Sequence, residues 1–295
     1  MISIVITAFH EQQIGKAIES ITSQNISQEY ELIVACPDVE TKAIVEKYAT
    51  TNKLVKHFQD QGKGKSFALN QLFKILAGDI LIFTDGDVYL GSNAVNEILW
   101  AFKDPKVGCV SGRVISQNPK ENMLGYWSHL LADVGAHRIR KRLYEKEKFL
   151  ECTGYLFAFR NKVIQEIPLD VAEDAMIPYY FHKKGYKIAY AENAIVYVKN
   201  PSTFKDWLKQ RKRTAGAHEK LTRYEPNFPK VKSFRNEMLH GMGAVWNYPE
   251  KSKEYFWTAA LIGARLYMWL SLFYDLKIKK QYYQDGWERV ETTKA

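Results

Sequence analysis

The stretch Ile80-Leu81-Ile82-Phe83-Thr84-Asp85-Gly86-Asp87 decides how this sequence is read. Four apolar residues and a threonine, without a charge, suit a short strand buried on both faces. Two carboxylates follow at once, at i and i+2. The glycine between them leaves room for a ligand or an unusual backbone angle. Hard oxygen ligands so placed suit Mg²⁺ or Mn²⁺ shared with a substrate's phosphates. The competing reading is a plain Asp-Gly turn, which is the commoner one for the tripeptide alone. The surrounding sequence separates the two.

Upstream, apolar runs and helical patterns alternate. Ser3–Thr7, Glu31–Ala35 and Leu54–Phe58 read as strands. Ile14–Ser23, Thr41–Tyr48 and Ser66–Leu76 read as helices, the last with Phe67, Leu69, Leu72, Phe73 and Leu76 on a buried stripe. Downstream, Ala94–Phe102 is a helix and Gly108–Ile115 a strand. Short apolar runs separated by helices predict βαβ units, hence an α/β fold with a mostly parallel sheet and helices on both faces. After Ser116 the rhythm changes. Asn122–Lys148 reads as one long helix, Tyr155–Phe159 as a strand, Asp174–Lys184 as a helix, and Ile188–Tyr190 and Ala194–Val198 as short strands. From Pro201 the chain is mainly helical. The expected division is a domain over 1–200, with a nucleotide-binding half (1–115) and an acceptor half (116–200), and a C-terminal helical region over 201–295.

In open α/β sheets ligands bind beyond the carboxyl ends of the strands. Thr7-Ala8-Phe9-His10-Glu11, Cys36-Pro37-Asp38, Asp60 through Lys65 and Asp85-Gly86-Asp87 all follow strands and would line one edge. Gly62-Lys63-Gly64-Lys65-Ser66 could cradle a diphosphate at a helix start, although its spacing is not that of a Walker A loop. Alone, it equally suits a flexible basic turn. Ala172-Glu173-Asp174 opens a helix, either as an acidic first turn favoured by the helix dipole or as a general base. Gln210-Arg211-Lys212-Arg213 is either a solvated basic face or a clamp on a leaving diphosphate. The seven histidines are scattered without ligand spacing, and the pair Gly241 and Gly243 is not a dinucleotide fingerprint.

Composition narrows the classes. The chain has 295 residues, of which 46% are hydrophobic and 25% charged, so it is neither disordered nor fibrous. Lys and Arg number 42 against 33 Asp and Glu, a formal charge of +9 that favours anionic partners. Cys36, Cys109 and Cys152 form no C-x-x-C pair, which argues against a zinc site and for a reducing compartment. The opening residues already read as a strand rather than a signal peptide, so the expected start is Met1 and the expected location cytoplasmic.

Taken in order, these motifs resemble those of the family 2 inverting glycosyltransferases, closest to the cellulose, hyaluronan and poly-N-acetylglucosamine synthase branch. They comprise Thr7 through Glu11, Gly62 through Asn70, and Asp85-Gly86-Asp87 as D-x-D. Gly154 through Arg160, Glu173-Asp174 as E-D, Lys184 through Tyr190, and Gln210 through Arg213 as Q-x-x-R follow. The resemblance covers about residues 2–215 and implies a GT-A, Rossmann-like fold. It implies that Ala8, Phe9, Glu11 and Asp38 hold the nucleoside, with Lys65 near the phosphates. Asp85 would touch the sugar or ribose, and Asp87 with Asp85 would take Mn²⁺ or Mg²⁺. Gly154 and Tyr155 would shape the acceptor mouth. Asp174 would be the base with Glu173 beside it, and Gln210 and Arg213 would close over the diphosphate. The implied reaction moves a hexosyl or N-acetylhexosaminyl group from a nucleotide-sugar, tilted towards UDP, to a hydroxyl of a glycan or lipid-linked glycan. Thr214 stands where the last motif usually has Trp, and Cys36-Pro37-Asp38 replaces an acidic pair; a single-transfer enzyme is expected. The alternatives are a polyprenyl-phosphate glycosyl synthase and a non-catalytic, degenerate transferase; nucleic acid is not an expected partner.

Phe256–Tyr274 carries one charge, Arg265, in nineteen residues. At ~1.5 Å per residue it reaches roughly 28 Å, at the border of a bilayer span. An interfacial helix, a single span, and a helix buried on the domain or a second copy all remain open. The first leads to an expected location at the inner face of the cell membrane, with peripheral membrane contact.

Overall fold

Apolar residues that alternate along short strands must be covered on both sides of a sheet, and two buried clusters meet that requirement here. The computed structural model describes residues 1–229, 231, 234, 242–281 and 291–293. Its sheet contains β1 (Ile2–Thr7), β2 (Tyr30–Cys36), β3 (Val55–Gln59), β4 (Ile80–Asp85), β5 (Val88–Leu90), β6 (Val107–Ser116), β7 (Leu156–Arg160) and β8 (Lys187–Val198). Their order is β3-β2-β1-β4-β7-β6-β8-β5. Strands β1 to β4 are mutually parallel, β7 runs against both β4 and β6, and β5 runs against β8. The expected α/β, mostly parallel sheet is therefore present.

On one face, Ile4, Ile6, Leu32, Val34 and Ile82 meet α1 (Ile14–Thr22), α2 (Val39–Thr51) and α4 (Ala94–Ala101). On the other, Val5, Ile33, Leu81 and Phe83 meet α3 (Lys65–Leu72), α7 (Glu173–Lys183) and α8 (Phe204–Tyr224). The period-two alternation along β1, β2 and β4 assigns each residue its face. A third cluster joins α5 (Met123–Ala132) to α8 and α9 (Ser252–Phe273) through Tyr126, Trp127, Leu130, Trp207, Leu261 and Ala264.

Three elements differ from their expected form. The two short strands expected over 188–198 are one strand, β8. Its register on β6 jumps between the pairs Ser111–Tyr190 and Arg113–Ile195, so Ala191, Glu192 and Asn193 fall in an irregularity that reads as a break in the sequence. The long helix after Asn122 is α5, a π turn at Asp133–His137, and α6 (Arg138–Glu145). Asn122 caps it, accepting the Gly125 N–H at 2.8 Å. Third, β5 follows the D-x-D segment directly and is too short to signal itself. His240 and Gly241 lie outside the described residues.

Candidate active site

Strand direction assembles this site. β1 to β4 end at one edge, and β7, running the other way, begins there. Thr7 lies opposite Asp85 across β1 and β4, and Thr84 lies opposite Leu156 across β4 and β7. The Thr7 hydroxyl donates to Asp85 Oδ1 at 3.1 Å, and the Thr84 hydroxyl donates to the Tyr155 carbonyl at 2.8 Å. Antiparallel pairing thus brings Gly154 and Tyr155 to the end of β4.

Gly86 has a steric reason to be glycine. A Cβ there would lie 2.8 Å from the Ala8 methyl and 2.9 Å from Ile14 Cδ1. Its N–H donates to the Thr7 carbonyl at 2.9 Å, drawing the D-x-D turn onto the loop after β1. That close approach leaves Asp85 and Asp87 half-buried on either side of Gly86.

Lys65 connects the two acidic motifs. Gly62 and Gly64 adopt φ of 71° and 105°, conformations open to glycine, and α3 then starts at Lys65. Its ammonium lies 2.7 Å from Asp85 Oδ1 and 2.8 Å from Glu173 Oε1, and 3.5 Å from the Gly154 carbonyl. Burial works against its charge, yet Asp85 and Glu173 outweigh burial and hold the ammonium above the ordinary lysine range. Burial pushes the Glu173 carboxyl up; Lys65 opposes this, while Asp174 and Asp85 add to it. The lysine expected near the phosphates is thus the counter-ion of two acids from remote segments.

Glu173 and Asp174 form the first turn of α7, where the helix dipole favours anions. Pro178, inside that helix, has no N–H to give the Asp174 carbonyl four residues back. The carbonyl instead accepts the Cys152 N–H at 2.9 Å. The same loop is gripped from α6, where buried Arg140 donates to the carbonyls of Glu151 at 2.9 Å and Cys152 at 3.0 Å. It is also gripped from α8, where His218 Nε2 lies 3.1 Å from Glu151 Oε2. Gly154 follows directly, and a Cβ on it would lie 3.7 Å from Glu173 Oε1 and 3.8 Å from Asp174 Cγ. A methyl at 154 would touch both acids at ordinary van der Waals distance.

The basic helix reaches the same crevice. Burial pushes the Tyr155 phenol up, with Arg211 and Arg213 opposing and Asp87 and Asp85 adding to it. One ring thereby feels both the D-x-D acids and two arginines of α8. Gln210 is half-buried on that helix, and its carbonyl accepts the Thr214 hydroxyl at 3.1 Å. Lys212 leaves the crevice for α9, donating to Ser271 Oγ at 2.8 Å and pairing with Asp275.

At the loop after β1, Ala8 and Glu11 are buried and Phe9 half-buried. Asp38 caps α2, with Oδ1 accepting from Thr41 N at 2.8 Å and Oδ2 from His10 N at 2.9 Å. Its side chain is only 5% exposed. Burial opposes ionisation, but the bonds from Thr41 and His10 prevail and hold the carboxyl below the ordinary aspartate range. His10, at φ 47°, places Nδ1 2.6 Å from Glu40 Oε2. His10, Asp38 and Glu40 offer donor atoms within 4.8 Å of one another, a cluster that sequence spacing hides.

Of the residues singled out in the sequence, the structure brings Asp85, Lys65, Glu173 and Gly154 together. Sequence reasoning gave no role to Arg140, His218, Glu151 or Pro178. The proline was the one legible signal, since it stands four residues after Asp174 in a predicted helix.

The model of the family described as glycosyltransferase like family 2 matches residues 1–217. A poly-β-1,6-N-acetyl-D-glucosamine synthase of Staphylococcus aureus is 26% identical over 202 residues, which is 66% of this chain and 48% of that protein. The chain spans about half the length of the curated relatives it matches. Among solved structures, the mannosyltransferase PcManGT from Pyrobaculum calidifontis, in complex with GDP-Man and Mn²⁺, has a TM-score of 0.61 at 17% identity. That match covers 90% of this chain and 86% of that one. S. aureus TarS 1–349 in complex with UDP-GlcNAc has a TM-score of 0.53 at 16% identity, covering 83% and 78%. Both likenesses are of fold.

Proposed function

Since this chain belongs to glycosyltransferase family 2 and has the GT-A fold, we propose that it moves a hexosyl or N-acetylhexosaminyl group from a UDP-sugar to a hydroxyl of a glycan or lipid-linked glycan, with inversion. The observation that carries this reading is the Lys65 ammonium held between Asp85 and Glu173. It sets a donor-side acid and the E-D pair in one crevice, as direct displacement requires.

Asp174 takes the proton of the acceptor hydroxyl as its oxygen attacks the anomeric carbon. The new glycosidic bond forms while the bond from that carbon to the diphosphate breaks, and the nucleoside diphosphate leaves. Arg211 and Arg213 offset the charge growing on it. Gln210 closes the same side. Ala8, Phe9, Glu11 and Asp38 line the nucleoside end, and Gly154 and Tyr155 the acceptor end. The carboxylates of Asp87 and Asp85 would hold a small hard cation. Mn²⁺ or Mg²⁺, when bound there, supplies further positive charge beside the diphosphate. What supports the donor and the cation is that the solved neighbours are complexes, one with GDP-Man and Mn²⁺ and the other with UDP-GlcNAc.

The test is transfer from a panel of UDP- and GDP-sugars with Mn²⁺ present, comparing wild type with Asp174→Asn. The variant should lose about 10²–10⁴-fold in rate while nucleotide affinity holds. Undiminished transfer would remove Asp174 from its role and favour a lipid-phosphate acceptor, which has no hydroxyl proton to lose.

A further inference from the structure

α9 and the π turn after it, Tyr274–Ile278, are bonded to the domain along one side and apolar along the other. The buried side carries Glu254, Thr258, Leu261, Ala264, Met268 and Leu272. Thr258 Oγ1 lies 2.8 Å from the Tyr126 hydroxyl, and the Trp257 carbonyl accepts Trp127 Nε1 at 2.7 Å. At the far end, Ser271 and Asp275 hold Lys212. Polar ties at both ends of its length fix the helix lengthwise on α5 and α8.

The opposite side points outward. Phe256 is 72% exposed, Leu270 70% and Ile278 63%, with Tyr267 and Tyr274 also exposed. At 100° per residue, positions 256, 263, 267, 270, 274 and 278 fall on one stripe. Of 27 residues from Ser252 to Ile278, an 18-residue window reaches mean hydropathy 1.3, yet only 28% of it is buried. Lys251 and Lys253 flank one end, and Lys277, Lys279 and Lys280 the other. The two carboxylates in this segment are not on the stripe. Glu254 is buried as a cap, accepting Glu250 N at 2.8 Å, and Asp275 is paired with Lys212, with Lys279 at 3.9 Å.

We propose that this face of α9 lies in the plane of an anionic lipid bilayer, with its aromatic and aliphatic stripe in the acyl boundary and its terminal lysines on the headgroups. An amphipathic helix with lysines at its margins binds such a surface through buried apolar area and charge together. Crossing the bilayer would carry α5, α8 and their polar bonds into the hydrocarbon, so the helix lies flat. A second copy is the poorer occupant. With lysines at both ends of the stripe, either packing direction sets like charges against each other. The helix carries this inference without the donor site. Together with the proposed reaction it places Arg211 and Arg213, whose neighbour Lys212 anchors α9, beside a membrane-borne acceptor.

Co-sedimentation of the full chain with vesicles tests it. Vesicles containing equal parts phosphatidylglycerol and phosphatidylcholine should bind it, and phosphatidylcholine alone should bind it about tenfold more weakly. Phe256→Glu with Leu270→Glu should lower binding to the anionic vesicles by about tenfold or more, with the thermal unfolding midpoint and UDP affinity unchanged. Wild type left in the supernatant, or a double variant that sediments like wild type, overturns the proposal. So does a wild-type dimer that the double variant dissociates while neither form binds vesicles, since a second copy then covers the face. Loss of sugar transfer with vesicle binding intact would count against the proposed reaction and leave the membrane face standing.

Discussion

Asp38 shows how one carboxylate can serve stability and a ligand loop together. Its two oxygens take backbone N–H groups from Thr41 and His10, so it closes α2 and pins the turn after β1. Asp38→Ala should cost about 1 kcal/mol of unfolding free energy, the usual worth of such a cap. The folded carboxyl sits below the ordinary value of 3.8. Its contribution is therefore complete above pH ~4 and disappears as pH falls through the folded value. Denaturant titrations of both forms should show a gap that is constant at neutral pH and narrows in acid. A gap that widens in acid would contradict the cap. The acids of the site were legible as residues because each follows a strand or opens a helix. Their pairing with Lys65 was not, since an ion pair between positions 65 and 173 has no local signature. The same is true of Glu151 with His218 and of His10 with Glu40, whose meetings depend on the packing of separate segments.

α7 is built so that its interruption has a use. Pro178 withholds the N–H that would occupy the Asp174 carbonyl, and Cys152 takes the vacancy. Pro178→Ala supplies the missing donor and lets the helix compete for that carbonyl. Transfer should slow, with the acceptor KM rising more than kcat falls, while unfolding free energy does not decrease. Steady-state kinetics beside a denaturant titration checks this, and unaltered kinetics would leave the proline without a role in the loop. Strand β8 shows the limit of reading elements from pattern. Glu192 and Asn193 break the apolar alternation, yet the backbone continues through an irregular register on β6. Period-two reasoning finds strands that stay in register and splits those that do not.

Across the whole molecule, the α/β architecture was legible because alternating apolar runs and helices admit few topologies. The third cluster was not, because Tyr126 and Trp127 pack against residues more than a hundred positions away. It also makes the C-terminal segment part of the fold. A chain ending before Ser252 would uncover Trp127, Leu130 and Trp207, which α9 shields. Such a truncation should unfold at lower temperature, with tryptophan emission shifted to the red before heating. An unshifted spectrum and midpoint would show that α9 is dispensable to the core.

The reversed course of β7 has a consequence for how acceptor choice could diversify. β6 finishes, and β7 sets out, at the same rim as the donor loops, so the whole excursion from Gln117 to Tyr155 departs from and returns to one doorway. Lengthening or rewriting that excursion would remodel the entrance while the four parallel strands stay as they are. Kin that share a donor could thereby come to decorate unrelated polymers.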